Sequence, residues 1–263
     1  MTARTATSGY DFNDAGPIKQ LTFEGHNQAP LWLDDERIVF TSDRQGDQGL
    51  FSQRVDGGPA ERLATPEQGI RPSSDSWSPD SKVLIFTNRI ITGLAGYRDN
   101  AGISALYIGT DQEPKRIIKQ HASNSSLSPD GRWLAYVGTE DIPKLHLYVE
   151  PFPPTPEGKR QITDYGGNPL WSPDGKQLYF MRLGRQILSV DIQTKPSLSW
   201  GKITPLPIDG IVNPGPRPYD ITSDGKFVVM FPAAQPATNK APPAQINVTL
   251  NWFEELKQRA SVH

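Results

Sequence analysis

Two of the four histidines in this 263-residue chain, His26 and His121, occupy matching places in a pattern that recurs along the sequence. His26, Arg71, His121 and Tyr165 follow one another at intervals of 45, 50 and 44 residues. Three residues further on, a second series runs Ala29, Ser74, Asn124, Asn168 and Pro218. Imidazoles suit Zn²⁺, and carboxylates such as Asp75 and Asp164 suit Ca²⁺. A Zn or Ca ion held by His26, His121, Asp75 and Asp164 could activate a water against an ester, lactone or phosphotriester, with a carboxylate as base. Arg71, Asn124, Tyr165, Asn168 and Arg217 offer another chemistry: donors and an aromatic ring that can hold a ligand without turning it over. A third use, glycan hydrolysis by Asp75 and Asp164, needs the two carboxylates roughly 5–10 Å apart. No HExxH or other tight ligand spacing selects among these, and single-residue matches are weakly specific. The plainer reading makes His26 and His121 ordinary polar loop residues. His146 sits within LHLYVE and reads as structural.

The elements that position these residues are visible as a repeat. Five segments align: APLWLDDERIVFTS from Ala29, DSWSPDSKVLIFTN from Asp75, SSLSPDGRWLAYVG from Ser125, PLWSPDGKQLYFMR from Pro169 and YDITSDGKFVVMFP from Tyr219. Each has an anchor that ends a short strand: Trp32, Trp77, Leu127, Trp171 and Ile221. A tight turn follows, for which Pro fixes φ, Asp bonds the backbone ahead and Gly accepts a left-handed conformation. Asp80, Asp130, Asp174 and Asp224 recur in four of the units, which suits turn formation and not one active site. Alternating strands come next (VLIF, WLAY, QLYF, FVVM), then a third set (GLFSQRV, ALYIGT, LHLYVE, ILSVDI, INVTLNW) and a fourth (ERLAT, KRIIK, KRQIT, GKITPL).

Four strands every ~40–50 residues is the pattern of a β-propeller. The expected fold is all-β: five four-stranded blades, each burying its faces against its neighbours. The last unit lacks a fourth strand, and PIKQLTF, Pro17–Phe23, is expected to supply it and close the ring. On this reading residues 1–16 are a flexible lead-in, 17–258 one propeller domain and 259–263 a tail. The loops entering the innermost strands, and those joining second to third strands, share one face at the mouth of the central channel. Blade two's loop, Asn88–Ser104, carries Tyr97 and Arg98 and is expected to overhang that face. Blade five carries a Pro- and Ala-rich stretch, Pro232–Gln245, expected to be extended.

The segments around Ser128-Pro129-Asp130-Gly131 and Ser172-Pro173-Asp174-Gly175 resemble the PD40, or TolB-like, WD40-related propeller repeat. The resemblance covers nearly the whole sequence and fades at Leu33-Asp34-Asp35 and Thr222-Ser223-Asp224. The ending INVTLNWFEELKQR looks like that of the C-terminal propeller domains of some bacterial serine/threonine kinases, although no kinase motif is present. The resemblance implies a module that senses or scaffolds, binding a small ligand, peptide or protein. The family usually has six or seven blades. Five anchors therefore imply either a five-bladed monomer or a ring shared between two protomers.

Composition narrows the partners. With 27 basic and 29 acidic residues there is no basic excess to attract nucleic acid or an anionic membrane. The sequence has no cysteine, so disulfides and thiolate chemistry are excluded. No apolar run reaches the ~20 residues of a membrane span, and MTARTATSGYDFNDAG lacks the apolar core of a signal peptide. The protein as given is expected in the cytoplasm, or outside it if it is a piece of a longer exported protein. No G-x-S-x-G elbow supports a serine hydrolase.

Overall fold

The computed structural model describes residues 20–90, 100–119, 121–141, 144–155, 157–182, 186–208, 211 and 217–229. These residues form antiparallel sheets, and none of them is helical. Blade one contains β1 (Asn27–Trp32), β2 (Arg37–Ser42), β3 (Gly49–Arg54) and β4 (Glu61–Ala64). Blade two contains β5 (Ile70–Trp77), β6 (Val83–Ile90), β7 (Asn100–Tyr107) and β8 (Lys115–Ile118). Blade three contains β9 (Ala122–Leu127), β10 (Trp133–Gly138), β11 (His146–Pro151) and β12 (Arg160–Thr163). Blade four contains β13 (Gly167–Trp171), β14 (Gln177–Arg182), β15 (Gln186–Gln193) and β16 (Ser199–Pro205). Each sheet is a meander in sequence order. Of blade five, β17 (Tyr219–Ile221) and β18 (Phe227–Val229) are described; INVTLNW lies outside the described residues.

Strand alternation explains the stacking. Side chains leave a strand on opposite faces with period two, so one run of apolar residues serves two interfaces. In β6, Leu84 and Phe86 meet Leu31, Val39 and Leu50 of blade one. Ile85, between them, joins Ile103 and Ala105 against Leu134, Tyr136 and Tyr148 of blade three. In β10, Ala135 turns the other way, towards Trp171, Leu178 and Phe180 of blade four. Tyr179, Met181 and Ile187 then meet Tyr219, Ile221 and Val229. A single blade would leave half of this surface in water, at a cost of about 25 cal/mol per Å².

Blade one's remaining face holds Ile38, Phe40 and Phe51, and Leu21 packs on it. The Leu21 carbonyl accepts a hydrogen bond from Gln53 Nε2 at 3.1 Å. Of the expected closing strand, Pro17–Lys19 lies outside the described residues, and 20–23 belongs to no strand. The insertion Asn88–Ser104 is shorter than its sequence implied: Asn88–Ile90 extends β6 and Asn100–Ser104 begins β7. Its tip, with Tyr97 and Arg98, lies outside the described residues, as does Pro232–Gln245.

The recurring turns are structural. Ser78, Ser128 and Ser172 each donate Oγ–H to the Asp two residues on, at 2.6 Å. The same oxygens accept from the backbone N–H of Val83, Trp133 and Gln177. The serine hydrogen bonds hold the Asp80 and Asp174 carboxyls below the usual carboxylate range. Successive turns also touch: a Cβ at Gly131 would stand 3.0 Å from Pro79, and one at Gly175 3.6 Å from Pro129.

That difference yields a prediction. Both glycines have φ +70°, where a non-glycine L residue costs about 1–2 kcal/mol. Gly175→Ala should lose about that much in urea unfolding. Gly131→Ala should lose more, because Pro79 must also move. Equal losses would mean that the turns of blades two and three do not pack.

Candidate functional site

The innermost strands β1, β5, β9 and β13 contact one another in sequence and line the axis. Each carries an irregularity, between Gln28 and Leu31, Ser74 and Ser76, Ser123 and Ser126, and Gly167 and Leu170. There the backbone enters the left-handed region at Ala29 (φ 49°), Asn124 (49°) and Asn168 (53°). Asparagine tolerates this conformation better than alanine, since its short polar group can bond locally. The bulges thus give a local reason for asparagine at two of these positions.

The carboxylate of Asp75, on β5, is buried. Its Oδ2 accepts from Thr87 Oγ1 at 2.7 Å, from Ser125 N at 3.0 Å and from Ser125 Oγ at 2.8 Å. Thr87 Oγ1 accepts in turn from Asn124 N at 2.9 Å. Burial pushes the Asp75 carboxyl up, opposed by these hydrogen bonds and the charge of Arg89. Arg89 Nη2 donates to Asn124 Oδ1 at 2.8 Å, and Asn124 Nδ2 donates to Asn168 Oδ1 at 2.6 Å. The Asn168 carbonyl accepts from the Tyr219 hydroxyl at 2.6 Å. Burial raises the Tyr219 phenol well above its ordinary pKa, so it donates as a neutral group. From blade five, Arg217 pairs with Asp220 at 3.3 Å and donates to the backbone carbonyl of Asp75. Blades two to five therefore meet at one axial pocket of about 30 Å³, lined by Ser74, Asp75, Asn124, Asn168, Arg217 and Tyr219 among others. That volume holds one or two waters.

The sequence-predicted residues divide accordingly. Asp75, Asn124, Asn168 and Arg217 come together. Arg71 stands beside them on β5, directly opposite Arg89 in the β5–β6 register. Tyr165 packs on Phe180 in blade four, beneath the guanidinium of Arg182 at 5.1 Å. The metal set is not assembled. His26 is exposed, and its backbone N and Nδ1 bond the two oxygens of Asp43 at 2.7 and 2.9 Å. Those bonds hold Asp43 below the usual carboxylate range. His121 is exposed at φ 53°, and Asp164 is exposed in a bend after β12. Among the described residues no three His, Asp or Glu side chains could hold a metal ion. Sequence reasoning misses Arg89, Ser74 and Tyr219 as site residues. Arg89 reads there as part of a loop, whereas it lies in β6.

A larger hollow of about 240 Å³ lies between blades one and two, near Pro66, Pro72 and Phe86. The Arg116–Glu67 ion pair, 2.6 Å, spans its rim. It shares no lining residue with the axial pocket.

No family model matches the sequence, and no curated protein sequence matches it significantly. Solved structures do. TolB from Acinetobacter baumannii aligns with TM-score 0.51 and 21% identity, covering 70% of this protein and 44% of that one. A Mycobacterium tuberculosis puromycin-hydrolyzing peptidase aligns with TM-score 0.50 and 19% identity, covering 80% and 36%. A structure from a study of two prolyl endopeptidases aligns with TM-score 0.50 and 15% identity, covering 80% and 32%. The protein thus spans less than half the length of each. These likenesses establish the fold, a β-propeller. Among the described residues no helix is long and apolar enough to cross a membrane.

Two outcomes follow from the inner strands. Ala29→Gly relieves a left-handed alanine and should gain about 1 kcal/mol, measured by urea unfolding; no gain would show that Ala29 carries no strain. Asp75 supplies a pH test. The folded state holds its proton more tightly than the unfolded state, whose carboxyl titrates near ~3.9. Its contribution is therefore full below that value and declines as pH rises through the higher folded pKa. Asp75→Asn keeps an acceptor oxygen and removes the ionisation. Its stability, followed from about pH 4 to about pH 8, should decline less than that of the wild type. Parallel curves would assign the decline to other groups.

Proposed function

We propose that this β-propeller is a binding module that receives a peptide segment or small ligand at the axial mouth. Arg71, Asn124, Asn168 and Arg217 are the contact residues of this reading, with Tyr165 at its edge; Tyr97 and Arg98, expected from the sequence to join them, lie outside the described residues. The observation that carries it is convergence. Polar side chains from four blades meet at one small pocket, held by mutual hydrogen bonds. A rigid scaffold presenting preset donors loses little entropy on binding. Metal-dependent hydrolysis has less support, because His26 is tied to Asp43 in blade one while Asp75 is enclosed between blades two and three.

Selection of a displayed random-peptide library on the immobilised protein tests the proposal. The wild type should enrich a family of related sequences. Arg71→Glu, which reverses a charge on a half-buried residue, should retain those sequences at least about tenfold less, the effect of some 1.4 kcal/mol, while its circular dichroism stays unchanged. Failure to enrich any sequence above a blank surface, or equal retention by the folded variant, would count against the reading.

A further inference from the structure

The face that blade two turns to blade one changes character along its length. Leu84 and Phe86 of β6 and Leu106 of β7 belong to the apolar contact between these blades. Side chains alternate along a strand, so Asn88 and Ser104 continue that same face. Both are more than nine-tenths buried, and both line the hollow of about 240 Å³ between blades one and two.

Their hydrogen bonds fix what they present. A carbonyl oxygen can only accept, so the Asn88 amide must turn its Nδ2 to the Gly102 carbonyl, 3.3 Å away. The same Nδ2 donates to Ser104 Oγ at 2.8 Å. Both amide hydrogens are thereby used, and Oδ1 is left over; among the described residues no donor meets it. Ser104 Oγ receives a hydrogen and sends its own elsewhere; among the described residues that hydrogen has no acceptor. A buried acceptor and a buried donor thus stand side by side. Around them the walls are apolar, with Leu50, Phe86, Pro66 and Pro72. Proline has no N–H to offer, and the Pro72 carbonyl already accepts from Thr41 Oγ1 at 2.6 Å. Charge is confined to exposed positions: Arg116 pairs with Glu67 at 2.6 Å, and Glu113 adds a second carboxylate.

We infer that this hollow binds a small neutral molecule with an apolar ring and an amide edge, its N–H donating to Asn88 Oδ1 and its carbonyl accepting from the Ser104 hydroxyl. Volume permits it. An apolar cavity of about 150 Å³ takes up benzene, so about 240 Å³ has room for a ring and an amide. Charge selects a neutral molecule: two carboxylates against one guanidinium disfavour an anion, and enclosure among buried groups disfavours any unpaired ion. The hollow shares no lining residue with the axial pocket, so this site stands or falls independently of binding at the axial mouth.

The test is an NMR titration of the full-length ¹⁵N-labelled protein with benzamide, acetophenone, benzoate and benzamidine at matched ionic strength. Benzamide should shift the Asn88 side-chain amide signals saturably and leave those of Asn124 and Asn168 in place. Acetophenone accepts a hydrogen bond but has no N–H for Asn88, and should bind about fivefold more weakly. Benzoate and benzamidine each carry a charge and lack one of the two groups, and should bind more weakly than benzamide. Ala64→Leu fills the hollow and should abolish the benzamide response. Should that variant fail to fold, Ser104→Ala decides: it keeps the Asn88 bond to Gly102 and should weaken benzamide about fivefold. No saturable shift at Asn88, benzamide binding no tighter than the other three, or an unchanged response in a folded variant overturns the inference.

Discussion

Asp75 places a carboxylate in the interior of β5 and surrounds it with donors from two blades: Thr87 from its own, and the backbone and hydroxyl of Ser125 from the next. Leaving such a group unpaired would cost several kcal/mol. The network therefore works as a constraint. Blade three can dock on blade two only in the register that brings Ser125 to Asp75, and that register also sets Asn124 N on Thr87 and Leu127 N on Ser76. From there the seam continues through the Asn124–Asn168 amides to blade four and through Tyr219 to blade five. Arg217 returns it to the carbonyl of Asp75 itself. A polar network so enclosed specifies one arrangement because every misplacement strands a donor or acceptor.

The apolar faces supply the bulk of the stability but less of this specificity. Leu, Ile and Val interfaces tolerate small slides at modest cost. Tyr136 and Tyr148 in one interface and Trp171 in another limit such slides, since Trp171 Nε1 must find the Ser126 carbonyl at 3.1 Å. The anchor tryptophan of blade four is thus both a packing residue and a hydrogen-bonding pin. The anchors of blades three and five, Leu127 and Ile221, are aliphatic, while the Trp77 Nε1 of blade two is buried with no hydrogen-bond partner among the described residues.

Much of this was legible in the residues. The anchors, the turns and the alternating strands follow from period-two patterning and turn chemistry, which are local. The four complete blades have the strands that the repeat indicated, β4, β8, β12 and β16 included. The site was legible only in part. Asn124, Asn168, Asp75 and Arg217 stand out because their offsets from the anchors place them near the axis. Whether a side group points into the pocket depends on the bulges, and one shifted residue reverses a strand's faces. Arg89, on the neighbouring strand, therefore escapes a reading by offset, and His26, at the same offset as Arg71, belongs to a local pair with Asp43. Equivalent positions in a repeat share a backbone, not a partner.

The two ends of the inner strands differ in how far the repeat is kept. At the turn end, Ser, Pro, Asp and Gly recur because each blade must solve the same local problem: a tight reversal that stacks on the turn before it. At the mouth end, the matching positions read Ala29, Ser74, Asn124, Asn168 and Pro218. Among them the Asn124 and Asn168 amides bond each other between neighbouring blades, and Arg89 sets the direction of that bond. The repeat is kept at the turns, where each blade meets the same local demand, and lost at the mouth, where neighbouring blades bond one another through different side chains.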